Sequence, residues 1–368
     1  MRSDWQLTRR PAIRSVVYSE TMKALVYHGP GHRAWEEKTA PVLRNATDAL
    51  VRITTTTICG TDLHILKGDV PEVPIGLTLG HEGVGVVIAI GGAVSRVKPG
   101  DRVLISCITS CGKCDACRRG MWSHCADGGW QLGHTIDGTQ AELVCVPHAD
   151  GSLHKIPDTQ VDEAQWVMLS NILPTGYECG VLNGEVKPGD TVAIIGAGPI
   201  GLAALLTAQF YSPAEIIMVD GDGNRLEVAR TFGATHAFLP ESAKAGILEL
   251  TGGRGVDVAI EAVGVPETFE LCTEIVAPGG HVANVGVHGR SAILHLEKLW
   301  AKNITIRTRL VDTVTTPFLL KALAAGRLNA QKLITHRFPL SDIMHAYDVF
   351  GAAAKAKALK VILSNSDQ

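Results

Sequence analysis

Residues 191–201 read TVAIIGAGPIG, and this stretch decides the fold of the second half of the chain. Its first five residues are mostly apolar and mostly β-branched, which predicts a buried strand, and the residues from 200 onward predict a helix. Between the two, Gly196, Gly198 and Gly201 form the pattern G-x-G-x-x-G. In that context the pattern predicts a dinucleotide site, because glycine makes the turn, admits the pyrophosphate and lets helix pack on strand. Amides at the helix start, such as that of Ile200, then face the phosphates.

The residues after the next predicted strand, 215–219, bear on the choice of cofactor. Asp220 stands where an acid accepts hydrogen bonds from the hydroxyls of the adenosine ribose. Because a carboxylate repels a 2′-phosphate, we predict NAD rather than NADP. Arg225 leaves alternatives open: an arginine nearby can accommodate a 2′-phosphate, stack near the adenine, or be an ordinary charge on a helix face.

The rest of the chain divides into two patterns. Around residues 191–201, strand-like and helix-like runs alternate, which predicts an α/β doubly wound parallel sheet. The strands are expected at 191–195, 215–219, 256–260 and 281–285, and the helices at 200–210, 225–232 and 266–276. From residue 22 to about 146, short β-branched runs bounded by Gly and Pro predict a β-rich, barrel-like domain, with strands at 23–27, 49–55, 83–90 and 102–106. The tail, with helices at 316–325 and 342–350 and a strand at 359–363, is expected to return to that first domain.

Composition narrows the class of protein. A chain of 368 residues with 46% hydrophobic and 19% charged residues fits a globular enzyme of about two domains. The net charge of −3, with no basic block, argues against nucleic acid or an anionic membrane as partner. Residues 1–21 are rich in arginine and weakly resemble a transit peptide. We interpret them instead as an extension before a natural start at Met22, poorly ordered or peripheral.

Four of the nine cysteines lie within one short segment, as Cys111, Cys114, Cys117 and Cys125. Four thiolates on a tight loop can surround a zinc ion with no open position, which is a structural site. Iron–sulfur ligation is the competing interpretation of clustered cysteines. The spacing and the neighbouring Gly and Lys favour zinc. Such clustering is typical of metal binding in a reducing compartment, so we expect a cytoplasmic protein.

A second set of metal-binding side chains lies in residues 58–64, ICGTDLH, and 80–83, GHEG. Cys59 and His81 can supply two ligands of a catalytic zinc, which keeps one position open. Thr61 and His64 add a hydroxyl and an imidazole, a route by which a proton can leave a bound alcohol. Taken singly, a lone Cys is more often a small buried hydrophobe and a lone His a packing residue, so the context has to decide.

Together with LPTGY at 173–177 and VDVAIEAVG at 256–264, these motifs resemble the zinc-containing medium-chain alcohol dehydrogenases from residue 22 to about 363. The resemblance implies a GroES-like catalytic domain, residues 22–174 and 311–368, split by a Rossmann domain, residues 175–310, with the active site between them. It also implies the following roles: catalytic zinc on Cys59 and His81 with Glu82 close by, Asp62 orienting His81, Thr61 and His64 as proton relay, and Thr175 near the nicotinamide.

One position departs from the family. The third zinc ligand of the family, Asp or Cys, falls where this chain has Asn171. Three possibilities follow: Asn171 coordinates weakly and leaves a more electrophilic zinc, Glu82 moves in as the anionic ligand, or the site holds zinc poorly.

The expected activity is reversible hydride transfer between a small or medium, secondary alcohol and NAD. The alternatives are a polyol or threonine-dehydrogenase-like oxidoreductase of the same family, or a non-catalytic protein that binds zinc and NAD. By analogy we expect a homotetramer or homodimer, joined through the Rossmann sheet edge, with edge strands at 292–296 and 303–308.

Overall fold

The computed structural model describes residues 19–365, so most of the predicted extension at 1–21 lies outside the described residues. The first half of the chain is built mainly from strands. Its elements are β1 (Thr21–Tyr27), β2 (Arg33–Thr39), β3 (Ala49–Thr57), α1 (Gly60–Lys67), β4 (Gly83–Ile90), β5 (Arg102–Ile105), α2 (Asp115–Arg118), β6 (Leu143–Val146), α3 (Ala149–Ser152), β7 (Leu153–Lys155), α4 (Glu163–Val167) and α5 (Ile172–Thr175), with a 3₁₀ turn at Trp122–His124 and a π-helix at Gly176–Leu182.

The second half alternates strands and helices. Its elements are β8 (Thr191–Ile195), α6 (Pro199–Ala208), β9 (Glu215–Val219), α7 (Gly223–Phe232), β10 (His236–Phe238), α8 (Pro240–Leu250), β11 (Val256–Glu261), α9 (Pro266–Ile275), β12 (Val276–Asn284), α10 (Leu296–Leu299), β13 (Thr305–Thr308), α11 (Thr316–Ala324), β14 (Ile334–Pro339), α12 (Ile343–Gly351), α13 (Ala353–Ala356) and β15 (Lys360–Ser364), with 3₁₀ turns at Gln209–Tyr211, Ala330–Leu333 and Leu340–Asp342.

A six-stranded parallel sheet has the order β10-β9-β8-β11-β12-β13. Strand β8 is apolar and buried from Val192 to Ile195, as expected of a strand with helices on both faces of its sheet. From β8 the strands that follow in sequence are added first on one side, as β9 and β10, and then on the other, as β11 to β13. Ligands bind at such a switch point, beyond the carboxyl ends of the strands. The predicted α/β, doubly wound Rossmann sheet is therefore confirmed.

A second, seven-stranded sheet is mostly antiparallel. It has the order β14-β15-β3-β4-β5-β7, with β6 also paired to β3. The closing strand β15 runs antiparallel to β3, with Ile362 opposite Thr57, so the tail returns to the first sheet. The precise domain limits at 174/175 and 310/311 stay predictions.

Helix α5 lies in the apolar core that joins the two sheets. This core contains Leu173 of α5, Leu104 of β5, Val192 of β8 and Leu319 of α11, all of them fully buried. A side chain at either end of α5 is therefore held between the two sheets, which is where the candidate site forms.

The edge of the parallel sheet differs in part from the prediction. Residues 292–295 have no regular structure and α10 begins at Leu296, so the predicted edge strand at 292–296 is wrong. Strand β13 forms the edge, within the predicted 303–308. Within residues 19–365, no helix has the length and apolarity needed to cross a membrane; the apolar run 191–208 is divided between β8 and α6.

Candidate active site

The four clustered cysteines form a small lobe between β5 and β6. The Sγ atoms of Cys111, Cys114, Cys117 and Cys125 all lie within 4.8 Å of one another. The Cys114 thiol accepts hydrogen bonds from backbone N–H groups, among them those of Ala126 and Cys117, and these lower its pKa to about 6. The pKa of Cys111 is also lowered, whereas burial raises that of Cys117 and Cys125. Four thiols at this spacing suit a closed tetrahedral zinc site, which holds them as thiolates.

A second cluster brings together Cys59, His81 and Glu82. One ligand atom from each lies within 4.8 Å of the others, and all three residues are buried. Cys59 caps the start of α1, while His81 and Glu82 precede β4. The turn into His81 needs glycine, since Gly80 has φ +94° and an added Cβ would approach the Cγ atom of Gln140 to 2.6 Å.

The charge of this cluster fits a bound cation. Burial alone lowers the pKa of His81, but its hydrogen bond to Cys59 and the negative charges of Cys59, Asp62 and Glu82 raise it to about 9. The imidazole thus tends to hold a proton because the surrounding groups are anionic. A zinc ion can take the place of that positive charge, and Cys and His are ligands that zinc prefers.

Asn171, at the N-terminus of α5, joins this cluster. Its Nδ2 atom lies 3.0 Å from His81 Nε2 and 3.5 Å from Cys59 Sγ. Its Oδ1 atom accepts a hydrogen bond of 2.8 Å from the Thr175 hydroxyl at the other end of α5. The side chain that departs from the family pattern is therefore adjacent to both expected ligands.

Glu82 has a partner that the sequence analysis missed. The Lys360 ammonium donates to Glu82 Oε1 at 2.9 Å and Oε2 at 3.2 Å, and also to the carbonyl of Ile58 at 3.0 Å. Both side chains are about 1% exposed. The sequence did offer a signal: Lys360 is followed by the apolar residues Val361 and Ile362 of strand β15, which suggests a buried lysine that needs an acidic partner.

The predicted relay and orienting residues lie on α1. The Thr61 hydroxyl is 3.6 Å from Cys59 Sγ, next to the metal-binding cluster. His64 is exposed, and its Nδ1 atom lies 2.8 Å from Asp69 Oδ2. Asp62 is buried with its Oδ1 atom 3.8 Å from His81 Nδ1, too long for a hydrogen bond. The roles of these three residues stay predictions.

An aromatic residue that the motifs did not indicate also approaches the cluster. The ring of Trp130 lies edge-on to His81, with ring centroids 6.3 Å apart, and stacks on His134 at 4.1 Å. It provides an apolar surface beside the candidate ligand.

The glycine pattern lies after β8, at the switch point of the parallel sheet. Gly196 has φ +106°, and a Cβ on Gly201 would come within 1.7 Å of the Gly196 carbonyl oxygen, so helix and strand could not pack. A Cβ on Gly198 would meet nothing within 4 Å, which leaves room for a ligand. A cavity of about 730 Å³ opens here, lined by Gly196, Gly198, Asp220 and Arg225 among others, and it suits part of a dinucleotide. Ile200 and Thr175 are not among the residues that line it.

Asp220 is held in place at the end of β9. Its Oδ2 atom accepts a hydrogen bond of 2.7 Å from the Ala197 amide, and its Oδ1 atom accepts one of 2.8 Å from the Asp222 amide. The Arg225 guanidinium is 4.0 Å from Oδ2. The carboxylate is thus fixed at the cavity, with a cation at its side.

Comparison with known proteins follows the same division of the chain. Residues 45–158 match the family described as alcohol dehydrogenase GroES-like domain, and residues 199–324 match that described as zinc-binding dehydrogenase. An alcohol dehydrogenase of Cupriavidus necator is 39% identical over 354 residues, covering 89% of this chain and 95% of the relative.

Solved structures agree with these matches. Zinc-dependent alcohol dehydrogenase 2 from Streptococcus pneumoniae, in its apo form, is 56% identical with a TM-score of 0.89, covering 94% of this chain and 99% of that one. A zinc-binding dehydrogenase from Sinorhizobium meliloti, bound to NADP, is 28% identical with a TM-score of 0.83, covering 94% and 100%. Because such relatives align along nearly the whole of both chains, this chain belongs to the zinc-type alcohol dehydrogenases, a family of oxidoreductases.

Proposed function

We propose that this oxidoreductase interconverts small or medium secondary alcohols and their ketones, with zinc and NAD as cofactors. The observation that carries the proposal is the buried cluster of Cys59, His81 and Glu82, with Asn171 and Thr61 beside it, in a chain that also has a dinucleotide cleft. Ligand, hydroxyl and cofactor sites in this combination fit hydride transfer from an alcohol.

Cys59, His81 and Asn171 are the residues that hold the catalytic zinc in this proposal. Turning the amide of Asn171 by 180° exchanges its two end atoms with no change of shape, so Oδ1 then faces the cluster and Nδ2 faces Thr175. The Thr175 hydroxyl can accept as well as donate, so this bond survives the exchange. Glu82 stays with Lys360, because moving it would weaken a buried ion pair.

The residues around this site then handle the substrate proton. Zinc, when bound, lowers the pKa of a coordinated alcohol, and the nicotinamide takes up the hydride. Thr61, whose hydroxyl lies next to the cluster, accepts the alcohol proton and at the same time gives up its own hydroxyl proton toward His64. His64 lies one turn further along α1, is exposed, and delivers the proton to water with Asp69 as its partner.

NAD is the favoured cofactor because the fixed Asp220 carboxylate repels a 2′-phosphate. Because the Sinorhizobium relative was solved with NADP, the two cofactors should be compared directly. We expect kcat/KM to be at least about tenfold higher with NAD than with NADP, and Asp220→Ser to narrow that ratio. Equal use of both cofactors by the wild type would contradict this assignment.

The substrate preference rests on resemblance and on one contact. Trp130 offers an apolar surface beside His81, which favours an uncharged alcohol over an amino alcohol such as threonine. A panel of secondary alcohols, polyols and threonine separates these candidates by kcat/KM. A protein that binds NADH but reduces NAD with no alcohol in the panel would be the non-catalytic alternative.

Zinc content is the first measurement to make. The protein, purified without added metal, is expected to contain two zinc ions per chain, one for each cluster. One ion per chain would mean that only the four-cysteine lobe is filled, and the proposed catalytic zinc would be wrong.

The proposal includes self-association and a cytoplasmic location. Several exposed apolar side chains lie in the segment that connects β12 to the edge strand β13, with Val287 84% and Trp300 79% exposed. We expect these to be covered in a homotetramer or homodimer, which sedimentation can test; a monodisperse monomer would refute it. The nine cysteines, all within the described residues, are free, which fits a reducing compartment.

A further inference from the structure

The two oxygen atoms of the Asp62 carboxylate have different surroundings. Its Oδ2 atom accepts hydrogen bonds from the Cys59 amide at 2.9 Å and from Gln140 Nε2 at 3.0 Å. Its Oδ1 atom has no hydrogen-bond partner among residues 19–365, and neither has His81 Nδ1, 3.8 Å away. An acceptor and a ring nitrogen therefore face each other across a short gap, and the direction of Oδ1 depends on what holds Oδ2.

The orientation of the Gln140 amide group follows from its hydrogen-bond partners. The residue is fully buried, and its Nε2 atom donates to Asp62 Oδ2 and to the Thr57 carbonyl at 3.2 Å. Both of these partners can only accept, so the amide nitrogen has to face them. The Gln140 Oε1 atom consequently points the other way, where it needs a donor.

Tyr347 of α12 is that donor. Its hydroxyl lies 2.8 Å from Gln140 Oε1, and the residue is 2% exposed. Burial raises the pKa of Tyr347 well above its usual range, so the hydroxyl keeps its proton. The guanidinium of Arg33 lies 4.6 Å from the ring centroid and pairs with Asp348 at 3.1 Å, which fixes the ring in turn.

We propose that Gln140 and Tyr347 are positioning residues for the catalytic metal: through Asp62 they orient the imidazole of His81. The Tyr347 hydroxyl fixes the Gln140 amide, the amide fixes Asp62 Oδ2, and Asp62 Oδ1 is thereby kept in front of His81 Nδ1. A ligand imidazole needs such a partner to fix its ring orientation and tautomer. This inference rests on the proposed function, since it presumes zinc on His81.

The test compares how fast a chromogenic chelator removes zinc from the wild type, Tyr347→Phe, Gln140→Met and Tyr211→Phe. Tyr211→Phe is the matched control, because it also removes one phenol hydroxyl, whose partner is the hydroxyl of Tyr177 at 3.2 Å. We expect the catalytic ion to leave Tyr347→Phe and Gln140→Met about tenfold faster. Zinc in the four-cysteine lobe, an internal reference, and the control should release at wild-type rates.

Substitution of the catalytic ion by Co(II) adds a spectroscopic readout. A changed imidazole orientation alters the visible absorption of the cobalt in Tyr347→Phe but not in Tyr211→Phe. A purely structural role would lower the thermal midpoint yet leave the release rate and spectrum of the folded protein unchanged, and would overturn the proposal. Tyr347→Phe removes a single oxygen atom, so it decides the outcome if Gln140→Met does not fold. A wild type with only one zinc would instead overturn the proposed function, and this inference with it.

Discussion

The charge of the candidate catalytic site depends on Asn171. A zinc ion on the Cys59 thiolate, a neutral His81 and a neutral amide carries a formal +1, and a carboxylate at 171 would neutralise it. We expect Asn171→Asp to slow release of the catalytic zinc to a chelator by about tenfold, since an anionic oxygen binds zinc more strongly than an amide. Zinc in the four-cysteine lobe is again the internal reference.

Two further variants make this prediction specific. Asn171→Leu, which has no ligand atom, should release the ion faster than the wild type. If all three proteins release zinc at the same rate, then position 171 supplies no ligand and Glu82 is the third one; Glu82→Gln should then lose the ion.

For single residues of the site, the sequence predicted groups that are close together along the chain better than contacts between residues far apart in it. Cys59, Thr61 and His64 lie within one short stretch, so their proximity follows from the chain itself. Lys360 is far from Glu82 in sequence, and only the fold shows that they form a buried pair. The glycines at 196 and 201 were predictable because their roles are local turn and packing geometry.

One buried carboxylate anchors the segment through which the chain leaves the parallel sheet and returns to the first sheet. Glu178, in the π-helix Gly176–Leu182, is fully buried and accepts four hydrogen bonds from the segment after β13. The donors are the amides of Asp312, Thr313 and Thr315 and the hydroxyl of Thr315, at 2.8 to 3.1 Å. Charge-assisted bonds to buried amides are among the stronger ones in proteins.

We expect Glu178→Gln to lower the free energy of unfolding by about 3 kcal/mol, because its NH₂ group would face backbone donors and leave them unsatisfied. Hydrogen exchange should accelerate at the amides of Asp312, Thr313 and Thr315. Glu227→Gln, which alters an exposed pair with Arg230, is the control and should change stability by less than about 1 kcal/mol. Equal effects of the two substitutions would contradict the anchoring role.

The elements of the parallel sheet were largely predictable, and its edge was not. Buried parallel strands are continuous apolar runs, so β8, β9 and β11 could be recognised. Residues 292–296 are also mostly apolar, but Ile293 and Leu296 are 59% and 61% exposed, and no neighbouring strand pairs with them. An apolar run predicts that its side chains are buried, but it does not identify the element that covers them. Here residues 292–296 lie outside the sheet.

At the scale of the whole molecule, the tail completes the first sheet. The pairing of β15 with β3 joins residues separated by some 300 positions, which periodicity cannot predict. The return was expected mainly because the motifs resemble a family whose catalytic domain is split. The same long-range closure brings Lys360 to Glu82 and Tyr347 to Gln140, and neither could be assigned a role from the sequence.

A buried histidine in the first sheet leads us to expect that the protein loses stability in acid. His154 lies in β7, opposite Leu104 of β5, and its Nε2 atom is buried without a hydrogen-bond partner in the described part of the chain. Burial, assisted by the nearby charge of Arg96, lowers the pKa of His154 to about 4. The folded protein therefore keeps this imidazole neutral under conditions where an unfolded chain would protonate it.

The sign of the effect follows from proton binding. Below about pH 6.5 the unfolded chain takes up a proton at His154, whereas the folded protein does so only near pH 4, so stability falls as the pH drops through this window. The difference amounts to at most about 3 kcal/mol. In His154→Gln, the loss of unfolding free energy between pH 6.5 and 4, measured by urea titration, should shrink by that amount. His32→Gln, at an exposed position, should keep the wild-type dependence. If His154→Gln loses as much stability in acid as the wild type, other groups govern the acid transition and the buried imidazole does not.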